Sequence, residues 1–505
     1  FAEAELEGCP PDFVASLKRN ANGECLVTLK APDTVPIMTL AKSEEARKRL
    51  GSALASKCEA ENSPIFEEVL SLRRQAAKAL GQPSWAHREL AQQMTATPEL
   101  AIEFLRTLLD RLGPLQENDI SILRKLKSQS GTSTDLGMWD IAFFSQLHKQ
   151  SLGVSELEVR QYFPLTHVVS ASLDLYAQLF SLTFTRAAAD DADVPVWHEE
   201  VEAYAVHDAE SGELQGYLYL DLFPRAGKYS HQCVYPLRPG YVRADGSRST
   251  SACVMVANLS RASSDGTPAL LRWREVETFL HELGHCVHCV STRPTYSTFA
   301  WAWSSVPWIA GVETDFLEVP SMLMENWAYD PRVLARLSCH HLTGEALPEA
   351  LQADIIKTRD VLAGLARRRY LLLALYDLAA HSRSADDAAY EWNGTAHATI
   401  EELYTAMFDD IVGLPADAGF PPASWLHPMM GYSAAYFSYI KSESVAADIL
   451  TTFGDDLLDE ALGKKLRAAL LAPGGSQSGA DMLETFLGRA PSPEPFLRRL
   501  TNTNA

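Results

Sequence analysis

The chain has 505 residues, is 47% apolar, and carries 44 basic against 65 acidic side chains, for a formal net charge of −21. That length supports a large core and more than one domain. So acidic a balance argues against nucleic acid or an anionic membrane surface as partner, because both attract basic patches. The eight cysteines, at positions 9, 25, 58, 233, 253, 286, 289 and 339, are too scattered for a disulfide framework and suggest a reducing compartment. No apolar run reaches membrane-spanning length, Tyr370 to Tyr376 being far too short, and the first residues show no signal-peptide pattern.

Residues 1–160 read as mostly helical. Leu26-Val-Thr-Leu29 reads as a short strand. Ser63-Pro64 predicts a helix start that Gly81 ends, and Thr97-Pro98-Glu99 predicts another, with Ile102, Leu105, Leu109 and Leu112 on one stripe before Gly113. Tyr162-Phe-Pro164 marks the crossover into a second domain, and the acidic run Asp190 to Asp193 reads as a solvated loop. Val201–Val206 and Tyr217–Phe223 alternate like strands around the turn-rich Asp208–Gly212, and Ser251–Ser260 is a further strand. From Pro268 onward the pattern returns to helices, without internal repeat or low-complexity segment.

The chemistry concentrates in Phe279-Leu-His281-Glu282-Leu-Gly284-His285-Cys-Val-His288, which contains the pattern H-E-x-x-H. Two histidines four apart on a helix project from one face, one turn apart, and can bind one zinc ion; Glu282 can then reach a water on that metal without being a ligand. The same spacing also occurs in helices that merely solvate or cap with histidine. Here the motif lies in an apolar-periodic segment from about Pro268 to Val290, and Gly284 in a helix interior points to close packing or ligand approach. Cys286 and Cys289, a C-x-x-C on the same helix, are read as small buried residues.

Catalytic zinc takes three protein ligands. A third His six residues beyond the second is excluded, since that position is Ser291. A carboxylate further on remains, from Glu313, Asp315, Glu318 or Glu325. Glu318 and Glu325, seven apart, share a helix face, and Asp315 lies three before Glu318, so spacing alone does not choose. Downstream, His427, Tyr432, Tyr436 and Tyr439 are candidate donors to a developing oxyanion, although a tyrosine cluster at helical spacing equally reads as core.

The run F-L-H-E-L-G-H-x-x-H followed by Glu313-Thr-Asp-Phe-Leu-Glu318-Val-Pro-Ser-Met-Leu-Met-Glu325-Asn-Trp resembles the thimet oligopeptidase and neurolysin family of zinc metallopeptidases. The resemblance extends to Pro11–Lys18, Gly216–His231 including Arg225 and Tyr229, Gly431–Tyr439, Pro473–Ser476 and Asp481–Leu487, and so covers essentially the whole chain. It implies a mainly α fold with a small β-sheet: two mostly helical domains flanking a deep substrate channel, with the zinc site on the HExxH helix. The expected domains are a helical one at 1–160 and a catalytic one at 161–505, some of whose C-terminal helices pack back on the first. It further implies one Zn2+ per chain held by His281, His285 and Glu318, and Glu282 as the base that activates a zinc-bound water. His427, Tyr436 and Tyr439 would lie over the metal, the two tyrosines facing one way on a helix. Asp315 and Glu325 are candidate acceptors for the ligand histidines. The strand at 253–259 is assigned as the sheet edge that pairs with extended substrate.

The implied function is a zinc endopeptidase hydrolysing internal bonds of short peptides, acting as a monomer in the cytoplasm without nucleic-acid or membrane partners. One rival keeps the chemistry and processes mitochondrial precursors; another is a non-catalytic peptide-binding fragment. The resemblance also leads us to expect a helical segment before Phe1, and any targeting peptide with it. Two departures stand out. The stretch Thr292–Gly311, with Trp301, Trp303 and Trp308, is longer than the family pattern, and Pro428-Met429-Met430 replaces a glycine-richer loop, which predicts altered cleavage preference.

Overall fold

The computed structural model describes residues 1–131, 135–153, 155–188, 194–229, 232–262, 266–300, 311–416 and 419–502. The acidic run 190–193 and the tryptophans at 301, 303 and 308 lie outside the described residues. The fold is mainly helical with small sheets. Its contacts divide into two compact units, Phe1–Gly153 with Asp360–Phe437, and Val154–Arg359 with Ser438–Asn502. Residues 360–437 group with the N-terminal residues, and the rest of the stretch from 161 to 502 groups with residues 154–160.

The first unit opens on a small apolar cluster of Leu6, Val14, Leu17, Ile37 and Leu50. Six helices follow: α1 (Glu44–Ala55), α2 (Glu59–Ala79), α3 (Trp85–Leu90), α4 (Pro98–Arg111), α5 (Gly113–Gln129) and α6 (Met138–Ser151). Thr97 caps α4 as its sequence predicts, its hydroxyl accepting the Leu100 N–H. Two expectations fail here. Helix α2 starts at Glu59 and carries Pro64 inside it, where the ring removes a single amide donor. Residues 26–29 form no strand, because Asp33 instead takes the Thr28 backbone and hydroxyl at 2.8 and 2.6 Å.

The second unit begins with α7 (Leu165–Phe180), which packs against a five-stranded sheet of β1 (Leu182–Arg186), β2 (Glu202–Asp208), β3 (Leu214–Asp221), β4 (Cys233–Arg238) and β5 (Ser251–Val256). The order is β1-β2-β3-β5-β4, antiparallel except for the parallel β3–β5 pair. All six residues of β5 are buried, with β3 on one side and β4 on the other. The edge assignment for 253–259 is therefore wrong. The edge beside β5 is β4, whose Pro236 cannot donate to a ladder and is tolerated for that reason.

Helix α8 (Trp273–Ser291) crosses β5, β3 and β4, and is followed by α9 (Thr314–Leu317) and α10 (Val319–Glu325). It starts at Trp273 rather than Pro268, since Leu270 bridges to Pro164 and the Glu275 carboxylate accepts the Arg272 N–H at 2.8 Å. The chain returns to the first unit with α11 (Ala363–Ser382) and α12 (Ile400–Ile411), and to the second with α13 (Ser438–Leu450), which packs on α9 and α10. Tyr436 lies in the turn before α13, in the first unit, whereas Tyr439 is on α13; the two do not share a helix as their spacing predicts. Residues 433–437 form turns and α13 starts only at Ser438, with Ala434 in the left-handed region at φ +55°. Among the described residues, no helix is long and apolar enough to cross a membrane.

Candidate metal centre

Helix α8 carries the motif in a mostly buried segment. Its Val276, Phe279, Leu280, Leu283 and Val287 are buried, and the Tyr176 hydroxyl of α7 donates to the Leu280 carbonyl, one residue before the first histidine. Gly284 explains itself by close approach: a Cβ there would lie 2.9 Å from Ser321 Cα and 3.2 Å from the Pro320 carbonyl oxygen. That approach seats α10 against α8 and brings in Glu318, which stands at the joint between α9 and α10.

The His281 and His285 rings lie edge to face with centroids 5.0 Å apart. Glu318 Oε2 is 3.0 Å from His285 Nε2 and 3.4 Å from His281 Nε2, and one donor atom from each of the three lies within 4.8 Å of the others. The set is chemically apt for zinc, with two imidazoles and a carboxylate. Zinc–ligand distances of about 2.0–2.1 Å at tetrahedral angles place ligand atoms roughly 3.3 Å apart. Spacing in the sequence left four acids open; the fold brings Glu318 to both histidines.

Glu325 lies on the far nitrogen of His281, Oε1 to Nδ1 at 2.7 Å. A carboxylate there accepts a hydrogen bond from the Nδ1–H and so leaves Nε2 as the lone-pair donor. Burial pulls the His281 pKa down, but its hydrogen bonds to the Glu318 and Glu325 carboxylates outweigh that and hold it well above the usual range. Burial pushes the Glu318 carboxyl up, and His285 and His281 pull it well below the ordinary value. Asp315 is buried at the start of α9, where its backbone carbonyl accepts from Ser442 and its charge faces Lys441.

Glu282 is 7% exposed. Burial raises its carboxyl pKa, the neighbouring histidines pulling the other way. Its charge reaches the edge strand β4, where burial and the Glu282 carboxylate push the Cys233 thiol up to about 11. Tyr439 is half-buried on α13, in the same unit as these groups.

His427 and Tyr436 sit together in the first unit. Tyr436 stacks on Tyr370 (5.5 Å, 12°), with Trp425 edge-on at 4.8 Å and His427 at 5.0 Å; Tyr432 is 5.8 Å from His427. Burial drives the Tyr436 phenol pKa far up, so it stays a proton donor. Asp377, which reading the sequence missed, accepts the Tyr436 N–H at 3.0 Å. The signal was there: a lone aspartate closing the apolar run Tyr370–Tyr376.

The sequence pattern of peptidase family M3 matches residues 37–502. The chain belongs to peptidase family M3. This M3 peptidase is 34% identical to a thimet-like oligopeptidase of Dictyostelium discoideum over 99% of its own length and 74% of that protein. It is 32% identical to saccharolysin of Saccharomyces cerevisiae, over 99% of its own length and 70% of the relative. Its fold resembles the solved structure of PZ peptidase A with inhibitor 2 (TM-score 0.55, 13% identity, covering 99% of this chain and 78% of that one).

Proposed function

We propose that this M3 peptidase is a zinc-dependent endopeptidase of short peptides. The observation that carries the reading is the convergence of His281, His285 and Glu318 within 4.8 Å, with Glu282 buried beside them on the same helix. The names of the relatives, oligopeptidases, support peptides as substrates. Zinc, when bound by these three residues, polarises a carbonyl and lowers the pKa of water to about 7.

The chain's own groups do the rest. Glu282, its proton affinity raised by burial, takes a proton from the attacking water and passes it to the leaving amine. Glu325 holds His281 in the tautomer that leaves Nε2 to the metal. Tyr439, Tyr436 and His427 are assigned by the resemblance as donors to the oxyanion and as groups that orient substrate.

Chelator treatment followed by stepwise return of zinc tests the reading with a quenched fluorescent peptide. Cleavage that vanishes with the metal and returns at one zinc per chain is the expected outcome. Full cleavage by protein shown to be metal-free would sink it.

A further inference from the structure

The loop that carries His427 and Tyr436 is fastened by groups that the proposed chemistry leaves unused. Asp377 is buried on α11, and its two carboxylate oxygens accept the backbone N–H groups of Ala434 and Tyr436, each at 3.0 Å. Ala434 itself has φ +55°, a conformation in which a non-glycine residue is held only by its surroundings. One turn along α11, His381 Nδ1 lies 3.0 Å from Asp377 Oδ1 and 2.8 Å from the Asp377 carbonyl oxygen. His381 Nε2 lies 2.9 Å from Arg73 Nη1 of α2. A guanidinium can only donate, so Nε2 accepts and Nδ1 carries the proton, donating it to the Asp377 main-chain carbonyl with the Oδ1 of the same residue close by. The other arm of Arg73 donates to the Pro428 carbonyl at 2.7 Å, next to His427.

These contacts form one chain: Tyr436 and Ala434 to the Asp377 carboxylate, the Asp377 carbonyl and carboxylate to His381, His381 to Arg73, Arg73 to Pro428. Its two ends fall on the backbone beside the two groups assigned to substrate. Each link is buried or half-buried, where a hydrogen bond to a charged group is worth most.

We propose that Asp377, backed by His381 and Arg73, is a positioning residue that fixes the strained turn at Ala434 and so presents Tyr436 and His427 in one orientation. The proposal rests on the reading of Tyr436 and His427 as groups that act on substrate.

A double-mutant cycle on the zinc-loaded full chain tests it, using Tyr436→Phe, Asp377→Asn and the pair, with kcat and KM measured separately and thermal unfolding alongside. Asp377→Asn is expected to lower kcat by up to about 10²-fold with KM little changed, as a misplaced group does. The pair should then lose no more than the larger single loss, and Asp377→Glu, which keeps both acceptor oxygens, should recover part of kcat. Losses that multiply, or an Asp377→Asn variant that unfolds earlier yet keeps its kcat while Tyr436→Phe loses it, would overturn the proposal and leave the roles of Tyr436 and His427 standing. Unchanged kcat in Tyr436→Phe would instead remove the role of Tyr436, and the proposal with it. Should Asp377→Asn not fold, Arg73→Gln, which frees the Pro428 end, carries the same cycle against His427→Asn with the same two outcomes.

Discussion

Glu318 and Glu325 divide one imidazole between them. Glu318 faces Nε2 of His281 at 3.4 Å and Glu325 faces Nδ1 at 2.7 Å, so the seven-residue spacing that set both acids on one face has a use for each. Glu318 is further fixed by the Ser321 hydroxyl, 3.0 Å from Oε2. Replacing Glu325 with Gln should therefore leave the fold intact and weaken zinc binding by about 10–100-fold, the usual effect of losing a ligand's own acceptor. Competition with a chromophoric chelator measures this, and an unchanged affinity would show that Glu325 does not orient His281. At this scale much was legible. His281, Glu282 and His285 follow from a five-residue pattern on a helix, because helical geometry alone puts the histidines together. Glu318 did not follow from spacing, since the choice among four acids depends on the Gly284–Ser321 approach, a contact between elements 37 residues apart in the chain.

Elements meet at Gly284. Ala in place of a helical Gly ordinarily stabilises by about 1 kcal/mol. Here the added methyl meets backbone of α10 at 2.9 Å, which that short helix can relieve only by shifting. Gly284→Ala is expected to cost about 1–3 kcal/mol in urea unfolding, and to weaken metal binding because Glu318 moves with α10. A stabilised variant would contradict the packing described. A second junction titrates. Asp119 of α5 accepts the Leu365 N–H at the start of α11 at 3.0 Å, and burial pushes its pKa up to about 6, against the opposing pull of the Leu365 and Gly364 amides. A carboxyl raised on folding contributes stability that is complete below its unfolded value, about 3.9, and lost as pH rises through the folded value. Stability against urea should thus carry a falling component between about pH 4 and 6 that Asp119→Asn removes; identical pH profiles for the two proteins would contradict it. Strands show how a legible signal can be misread. Ser251-Ala-Cys-Val-Met-Val256 is apolar on both faces, as an interior strand with a parallel neighbour must be, while Pro236 marks β4 as the edge.

Across the whole molecule, helix content and three strands of the sheet could be read from sequence pattern, whereas β1 and β4 were not. The grouping of residues 360–437 with the N-terminal stretch could not, since it rests on contacts such as Asp119 to Leu365 that no local pattern announces. The first unit also encloses a charge cluster that composition hides. Asp140, fully buried, accepts from Arg47 at 2.7 Å and Lys127 at 2.6 Å, and Lys127 reaches Glu44 at 2.8 Å. Asp140→Ala would leave two buried cations short of their acceptor, at a cost of about 3–5 kcal/mol. Denaturant unfolding of Asp140→Ala beside the Asp140→Ala/Arg47→Met/Lys127→Met triple variant checks the cause. Most of the loss should return in the triple variant, and none would return if the cluster were not responsible.

The most direct measurement compares the wild type with Glu282→Gln at matched zinc content, on a quenched fluorescent peptide. Equal zinc in both, with a turnover in the variant lower by about 10²–10⁴-fold, the range that a general base supplies, is the expected result. Equal turnover in both would show that Glu282 is not the base, and that the centre built on α8 does not hydrolyse peptides in the way proposed.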